Sequence, residues 1–288
     1  MLTGMVLGIS SGYSQQLEAE HAFFGNTYRL EQPATMAVSP GGESIAVGDL
    51  STNRIVVADL RGRLLWVAGE QVRLDQPKAI CFESESQILF TPANSLLLLR
   101  VYQDSPDRVD TIRNLSEDLV KWQRIDRIVQ RGLSGYLLLN GEEGEVAAFD
   151  ADWQFEGLVV GHGSGKGKVL APSDLTVTGA GKIIMADRKN FPVQVFAPDG
   201  KFLLYAGWNQ PSEQRGWEAV AVGIDSRDFI WVADETNARF RIYDPTGNQV
   251  SSLPFANPAV APVAMVGTID NRMAVMEQTG RLLFYALE

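Results

Sequence analysis

One short pattern recurs six times along this chain, and that recurrence decides what it can fold into. Its clearest copy is FIWVADETNARFRIYDPTGN (229–248): two apolar strands, a polar turn between them, and a second turn after them. Related segments are IAVGDLSTNRIVVADLRGRL (45–64), ILFTPANSLLLLRVYQDS (88–105), YLLLNGEEGEVAAFDADWQF (136–155), IIMADRKNFPVQVFAPDGKF (183–202) and MAVMEQTGRLLFYALE (273–288). Their spacing, roughly 42–49 residues, is that of a four-stranded propeller blade. A chain of 288 residues exceeds an ordinary single core unless it is a repeat or a barrel. Six blades fit the length.

A shorter, small-residue strand precedes each copy, as in ATMAVSP from Ala34, KAICFES from Lys78 and SDLTVTG from Ser173. Such strands suit the crowded axis. A fourth strand follows four copies clearly (63–69, 153–161, 201–207 and 248–255), and one after the second copy, around Arg108–Ile112, is weaker. The last copy ends the chain without a fourth strand. Residues 17–25, LEAEHAFFG, supply it, because RLEQP (29–33) and RLDQP (73–77) follow Gly25 and Gly69 at matching distances. The expected fold is therefore all-β, a six-bladed β-propeller whose ring closes when the N-terminal strand pairs into the C-terminal blade. Closure removes exposed sheet edges. The expected organisation is one propeller over 15–288. SEDLVKWQRIDRIV, within 104–128, spaces Leu119, Trp122 and Ile125 as a short inserted helix would.

These segments resemble the NHL-repeat propellers. The carriers are Asp49, Asn53 and Arg54, Asp187 and Asn190, Asp234, Asn237 and Arg239, and Gly-to-Pro connections such as GHGSGKGKVLAP (161–172). The second, third and sixth copies lose the aspartate, with Thr91, Asn140 and Glu277 read at its place. The resemblance implies that the Asp and Asn are structural, and short polar side chains do bond turn backbone. It implies a disc with a central channel and one face for ligands or partners. It implies no activity, since fold does not fix function.

The net charge of −10 disfavours nucleic acid and anionic membranes, where neutralising phosphate supplies the affinity. The lone cysteine, Cys81, sits in apolar AICF, excludes an intrachain disulfide and reads as buried. His21 and His162 are too few for a histidine-rich zinc site. GHGSGKGK lacks the P-loop spacing and reads as a connection between blades.

Two sets of candidate site residues remain. Aligning the inner strands on their prolines places Asp126, Asp174 and Glu218 at the channel mouth, where convergent oxygens suit a divalent cation such as Ca or Zn. Gluconolactonase-like propellers hold a channel metal, but Ala34 and Thr35 stand where their first-blade glutamate is expected. The second set is Trp122, Trp208, Trp217, Arg124 and Lys78: aromatics next to irregular segments, where partner anchors are enriched, and cations near the mouth. Trp66 and Trp231 read as core.

MLTGMVLGISSGYS (1–14) has a short apolar run and a small-x-small end at Gly12–Ser14, which favours export to a periplasmic or extracellular space, with a cytoplasmic location left open. The run is too short to span a bilayer. The expected function is a non-catalytic binding or scaffold propeller without a cofactor, recognising a protein partner, as an accessory subunit of a larger assembly. The alternative is a metal-dependent hydrolase or lactonase built on the mouth carboxylates.

Overall fold

The computed structural model describes residues 15–18, 28–207 and 216–287. These form six sheets, antiparallel apart from one short parallel strand at the edge of the third, each with its strands in sequence order except the last. Blade 1 holds Pro33–Val38, Ser44–Asp49, Arg54–Asp59 and Leu64–Ala68. Blade 2 holds Pro77–Ser84, Gln87–Pro92, Leu97–Tyr102 and Val109–Asn114, so the weak fourth strand is present. Blade 3 holds Arg127–Gln130, Tyr136–Asn140, Glu145–Phe149 and Phe155–His162. Blade 4 holds Pro172–Val177, Ile183–Asp187, Val193–Phe196 and Phe202–Tyr205. Blade 5 holds Ala219–Ile224, Ile230–Asp234, Arg239–Tyr243 and Gln249–Pro254.

Blade 6 is the closure. Its Pro262–Gly267, Arg272–Glu277 and Leu282–Leu287 are joined by Gln15–Glu18, which pairs antiparallel with the last strand, Gln15 opposite Leu287 and Glu18 opposite Phe284. The first described segment of the chain thus completes its final sheet. The strand begins at Gln15, two residues before the expected Leu17. Residues 19–25 of that expectation, with His21, lie outside the described residues, as do residues 1–14.

Each blade is apolar on both faces, because each is sandwiched between two others. The described core accordingly divides into six clusters, one per blade interface. Blades 1 and 2, for example, share Ile55, Val57 and Trp66 with Ile80, Phe82 and Phe90. Blades 5 and 6 share Trp231 and Phe240 with Met265 and Tyr285. Trp66 and Trp231 are core, as read from sequence. Crowding at the axis explains the small inner-strand residues: a Cβ on Gly267 would stand 2.0 Å from the Ile224 carbonyl oxygen of the neighbouring inner strand.

The expected helix does not form. Between blades 2 and 3 the chain makes isolated turns, with Leu119 N–H donating to the Leu115 carbonyl and Trp122 N–H to that of Leu119. The helix-like spacing has another cause. Leu115, Leu119, Trp122 and Ile125 all point into the interface of blades 2 and 3, alongside Leu138 and Phe149. The sole helical element among the described residues is a single 3-10 turn, Gly132–Ser134. The glycine run after blade 3 is a connection: Lys168–Val169 lies parallel to the end of Phe155–His162 before the chain enters blade 4.

The recurrent aspartate is structural. Asp187 accepts four backbone N–H bonds, from Lys189 and Asn190 in its own turn and from Leu170 and Ala171 in the incoming connection. Asp49 does the same with Ser51, Thr52, Glu31 and Gln32. Asn53 Oδ1 accepts from Gln76 N–H on the way into blade 2. Asp234 takes Asn237 N–H, Asn237 Nδ2 and Arg241 Nε. All three carboxylates are fully buried. Strand register corrects one assignment: in blade 2, Pro92 and not Thr91 stands at the aspartate position, because Pro77 pairs with Pro92 as Pro33 pairs with Asp49.

Candidate site at the channel mouth

All six inner strands run the same way through the disc, so their first residues ring one mouth of the channel and their last residues ring the other. Register aligns Thr35, Ala79, Arg127, Asp174, Ala221 and Ala264 as one layer near the entrance. Four of these are small. The other two, from adjacent blades, form a plug across the axis. Arg127 donates to Asp174 through Nε (2.6 Å to Oδ1) and Nη2 (3.0 Å to Oδ2), and its Nη1 reaches Thr35 Oγ1 at 3.0 Å. Asp174 also accepts the N–H of Val222 and of Leu175. Blades 1, 3, 4 and 5 are thereby tied at the centre.

Thr35, Arg127 and Asp174 are all buried. Burial works against the Arg127 guanidinium, but the Asp174 carboxylate overrides it and holds the charge above its ordinary range. A buried pair with bidentate geometry and its remaining lone pairs satisfied survives desolvation, whereas removing one partner strands a charge.

The plug separates two cavities. The one at the strand ends has a volume of about 530 Å³ and mostly apolar walls, including Met36, Ile80, Leu175 and Met265. The one at the strand starts, about 930 Å³, is lined by charged side chains from several blades, among them Lys78, Arg124, Asp126, Arg188 and Glu235. Arg124 Nε donates to Asp126 Oδ1 at 3.1 Å, and Arg124 Nη1 lies 3.4 Å from Glu142. Asp126 Oδ2 accepts Gly141 N–H. Across the mouth, Arg188 bridges Glu235 (3.0 Å) and Glu218 (3.4 Å). Desolvation lowers the pKa of Lys78; Asp126 opposes that shift, and Arg124 and Arg127 add to it.

The mouth collects some of the sequence-derived candidates and disperses others. Lys78, Arg124 and Asp126 line it together. Asp174 is there as half of the plug, not as a free ligand. Glu218 is on the rim and lies before the inner strand of blade 5, because Ala219, pairing with Asp234, takes the proline position. The alignment slipped where the proline is missing: blade 3 has Ile125 there and blade 5 has Ala219. Asp126, Asp174 and Glu218 therefore do not converge, and no group of three His, Cys, Asp or Glu side chains that could hold a metal ion occurs among the described residues. Their oxygens are taken by Arg124 and Gly141, by Arg127 and Val222, and by Arg188 respectively. The donor set does not fit a divalent cation.

The aromatic candidates change role. Trp122 is buried between blades 2 and 3 and its Nε1 donates to Glu145 at 2.9 Å. Trp217 is buried between blades 4 and 5 beneath the Arg241 guanidinium, 4.6 Å from the ring centroid. Neither is exposed for a partner. Trp208 lies outside the described residues. Sequence reasoning missed Arg127, although it directly follows Asp126; one more step of register would have found it. Cys81 is buried and its thiol is pushed up to about 12, chiefly by desolvation, so it is no nucleophile at neutral pH. His162 is exposed and lines neither cavity. Ser173, at the mouth, donates its hydroxyl to the Ala219 carbonyl.

No family model matches the chain, and no curated protein matches it by sequence. Solved structures do match. A catalytically inactive virginiamycin B lyase from Staphylococcus aureus, bound to quinupristin, aligns at a TM-score of 0.66 and 9% identity over 91% of this chain and 83% of that one. A protein of unknown function from Bacteroides thetaiotaomicron aligns at 0.68 and 10% identity over 96% of this chain and 76% of that one. A streptogramin B lyase aligns at 0.64 and 11% identity over 98% and 100%. At such identities the likeness establishes the six-bladed propeller fold; the NHL-repeat likeness stays a resemblance in the turns.

Proposed function

We propose that this chain is a non-catalytic binding propeller whose protein partner docks on the face where the inner strands begin. One observation carries the reading: that face opens into a cavity of about 930 Å³ walled by charged groups from several blades. Its floor is sealed by Arg127, Asp174 and Thr35, whose polar atoms are spent on one another. Catalysis would need a positioned acid, base or nucleophile with free valence. Among the described residues that line the cavity there is no histidine or cysteine, and Ser173 is committed to backbone. The contact residues on this reading are Lys78 and Arg124, with Arg188 added from the structure. The accessory-subunit role and an exported location belong to the same proposal, the latter resting on residues 1–14.

The test is affinity capture from the native source with wild-type protein and with a Lys78→Glu, Arg124→Glu double variant. A stoichiometric partner lost in the variant is the expected result. Recovery of the monomer alone from both would overturn the reading. The metal-dependent hydrolase alternative has its own check, calcium and zinc titration by calorimetry; saturable heat abolished by Asp126→Asn would revive it.

A further inference from the structure

The charged groups at the mouth do not cancel where they are deepest. Three cations approach the floor: Arg127 in the plug, Arg124 above it, and Lys78 from the inner strand of blade 2. Two carboxylates oppose them. Asp174 is bonded by Arg127 and two backbone N–H groups, and Asp126 by Arg124 and Gly141 N–H. Both acids are therefore committed. Lys78 is partly buried and lines the cavity, yet its ammonium has no hydrogen-bond or ion-pair partner among the described residues. Further out, Glu142 is mostly exposed and reaches Arg124 at 3.4 Å, while the single cation Arg188 bridges both Glu218 and Glu235 and leaves the far rim with a negative charge in excess. The outcome is one unpaired positive charge, that of Lys78, at the bottom of a bowl with an acidic rim, in a chain of net charge −10.

From this arrangement we infer that the mouth is a built carboxylate site, with the Lys78 ammonium as principal contact and the Arg124 guanidinium beside it. The inference rests on the binding reading above and names the chemistry that the face selects. A carboxylate here would pair the Lys78 ammonium and supply the acceptor that it lacks. Charge-assisted hydrogen bonds of this type are about twice as strong as neutral ones. The surrounding negative charge of the protein repels acids in bulk, so selectivity comes from the fit to the bowl and not from long-range steering. Arginine gives a planar fork and lysine a compact point charge, which together suit one carboxylate approached from two sides. The source of the carboxylate is either a partner protein's acidic side chain or a free small acid.

Site-resolved acetylation of the full chain tests this, with glutarate and an unstructured glutamate-rich peptide as probes. Both probes are expected to slow acetylation of Lys78 by about tenfold, the factor that 1.4 kcal/mol of protection gives. The exposed Lys121 and Lys201 should react unchanged. Protection by peptide at lower concentration than glutarate assigns the acid to a protein partner. Protection by glutarate alone keeps the carboxylate site and removes the protein-partner reading. No protection by either, or equal protection of Lys121 and Lys201, overturns the inference. Line broadening of glutarate signals by the protein gives a second readout: Lys78→Met should abolish it and Lys78→Arg should keep it, with unchanged melting in both. Broadening should also fade as pH rises through the lowered Lys78 pKa, earlier than an ordinary lysine would titrate. A native partner that is captured equally well by Lys78→Met leaves the binding reading standing and sinks this one.

Discussion

Blades 3 and 4 meet the same mechanical demand with different chemistry. Each must fasten the connection that enters it to the turn after its second strand. Blade 4 uses one buried carboxylate, Asp187, with four backbone donors, two on each side of the joint. Blade 3 splits that task. Asn140 Oδ1 holds Glu142 and Glu143 N–H, while its Nδ2 donates to the Arg124 carbonyl. The carboxylate has moved across the joint to Asp126, which accepts Gly141 N–H. Apolar contact supplies the rest, since the connection drives Leu115, Leu119, Trp122 and Ile125 into the interface with blade 2. The comparison teaches that the repeat conserves a joint and not a residue. The connection into blade 3, 115–126, is longer than the one into blade 4, 163–171, and that longer segment with its inward apolar side chains is what looked like an inserted helix.

The largest break falls on the apolar solution. Trp122→Ala removes a buried indole and leaves Glu145 without its Nε1 donor. The expected loss is about 3–5 kcal/mol, the range for large-to-small core changes at aromatic positions. Denaturant unfolding followed by circular dichroism measures it. A loss below about 0.5 kcal/mol, the surface range, would mean that the connection is not held by this side chain.

The polar solution breaks next. Asp187→Ala leaves four backbone donors without their acceptor in a buried joint. Nearby water can reach some of them, so the expected cost is about 3 kcal/mol and not the sum of four separate bonds. Hydrogen exchange at Leu170, Ala171, Lys189 and Asn190 should accelerate together, while amides in blade 1 stay protected. Acceleration on one side of the joint alone would show that the carboxylate serves only its own turn.

How much of this was legible beforehand follows from the same joints. The aspartate in VAD-like strands is a local signal: side chain and turn lie within three residues, so sequence spacing reports the bond directly. Ring closure was legible because RLEQP and RLDQP repeat the same connection at the start of two blades. The mouth was only half legible. Its alignment hung on prolines, and Ile125 and Ala219 replace them in blades 3 and 5, so Arg127 was passed over and Glu218 was drawn in. Trp122 and Trp217 were misread for another reason. Flanking an irregular segment in sequence says nothing of burial, and in a propeller the segments between blades cover the interfaces. No local pattern reports that the Arg127 side chain crosses the axis to Thr35, because those residues are 92 positions apart.

Replacing Asn140 by aspartate sharpens the comparison, since it writes the blade 4 residue into blade 3. The new carboxylate keeps its bonds to Glu142 and Glu143 N–H but faces the Arg124 carbonyl with an oxygen where a donor stood. The expected cost at neutral pH is about 1–2 kcal/mol, that of an unsatisfied buried acceptor. The charged form is the disfavoured one, so the penalty should shrink as pH falls and the acid gains a proton to donate. Unfolding at pH 4 and pH 7 measures the difference. A variant as stable as wild type at both would mean that blade 3 had room for the blade 4 solution all along.

The smallest effect belongs to the rim of blade 4. Arg188 follows Asp187 in the turn and bridges Glu218 and Glu235 of blade 5, but all three side chains are substantially exposed. Exposed pairs pay for fixing two long side chains and are screened by salt, so Arg188→Met should cost about 0–0.5 kcal/mol. That cost should vanish in molar salt. Its value lies in the contrast with its neighbour. Two adjacent residues of one turn, one buried and one exposed, both bonded to partners outside the turn, should differ several-fold in effect. If Arg188→Met instead matched Asp187→Ala, the joint between blades 4 and 5 would be fastened from the rim, and the buried carboxylate would no longer explain how a turn holds the ring.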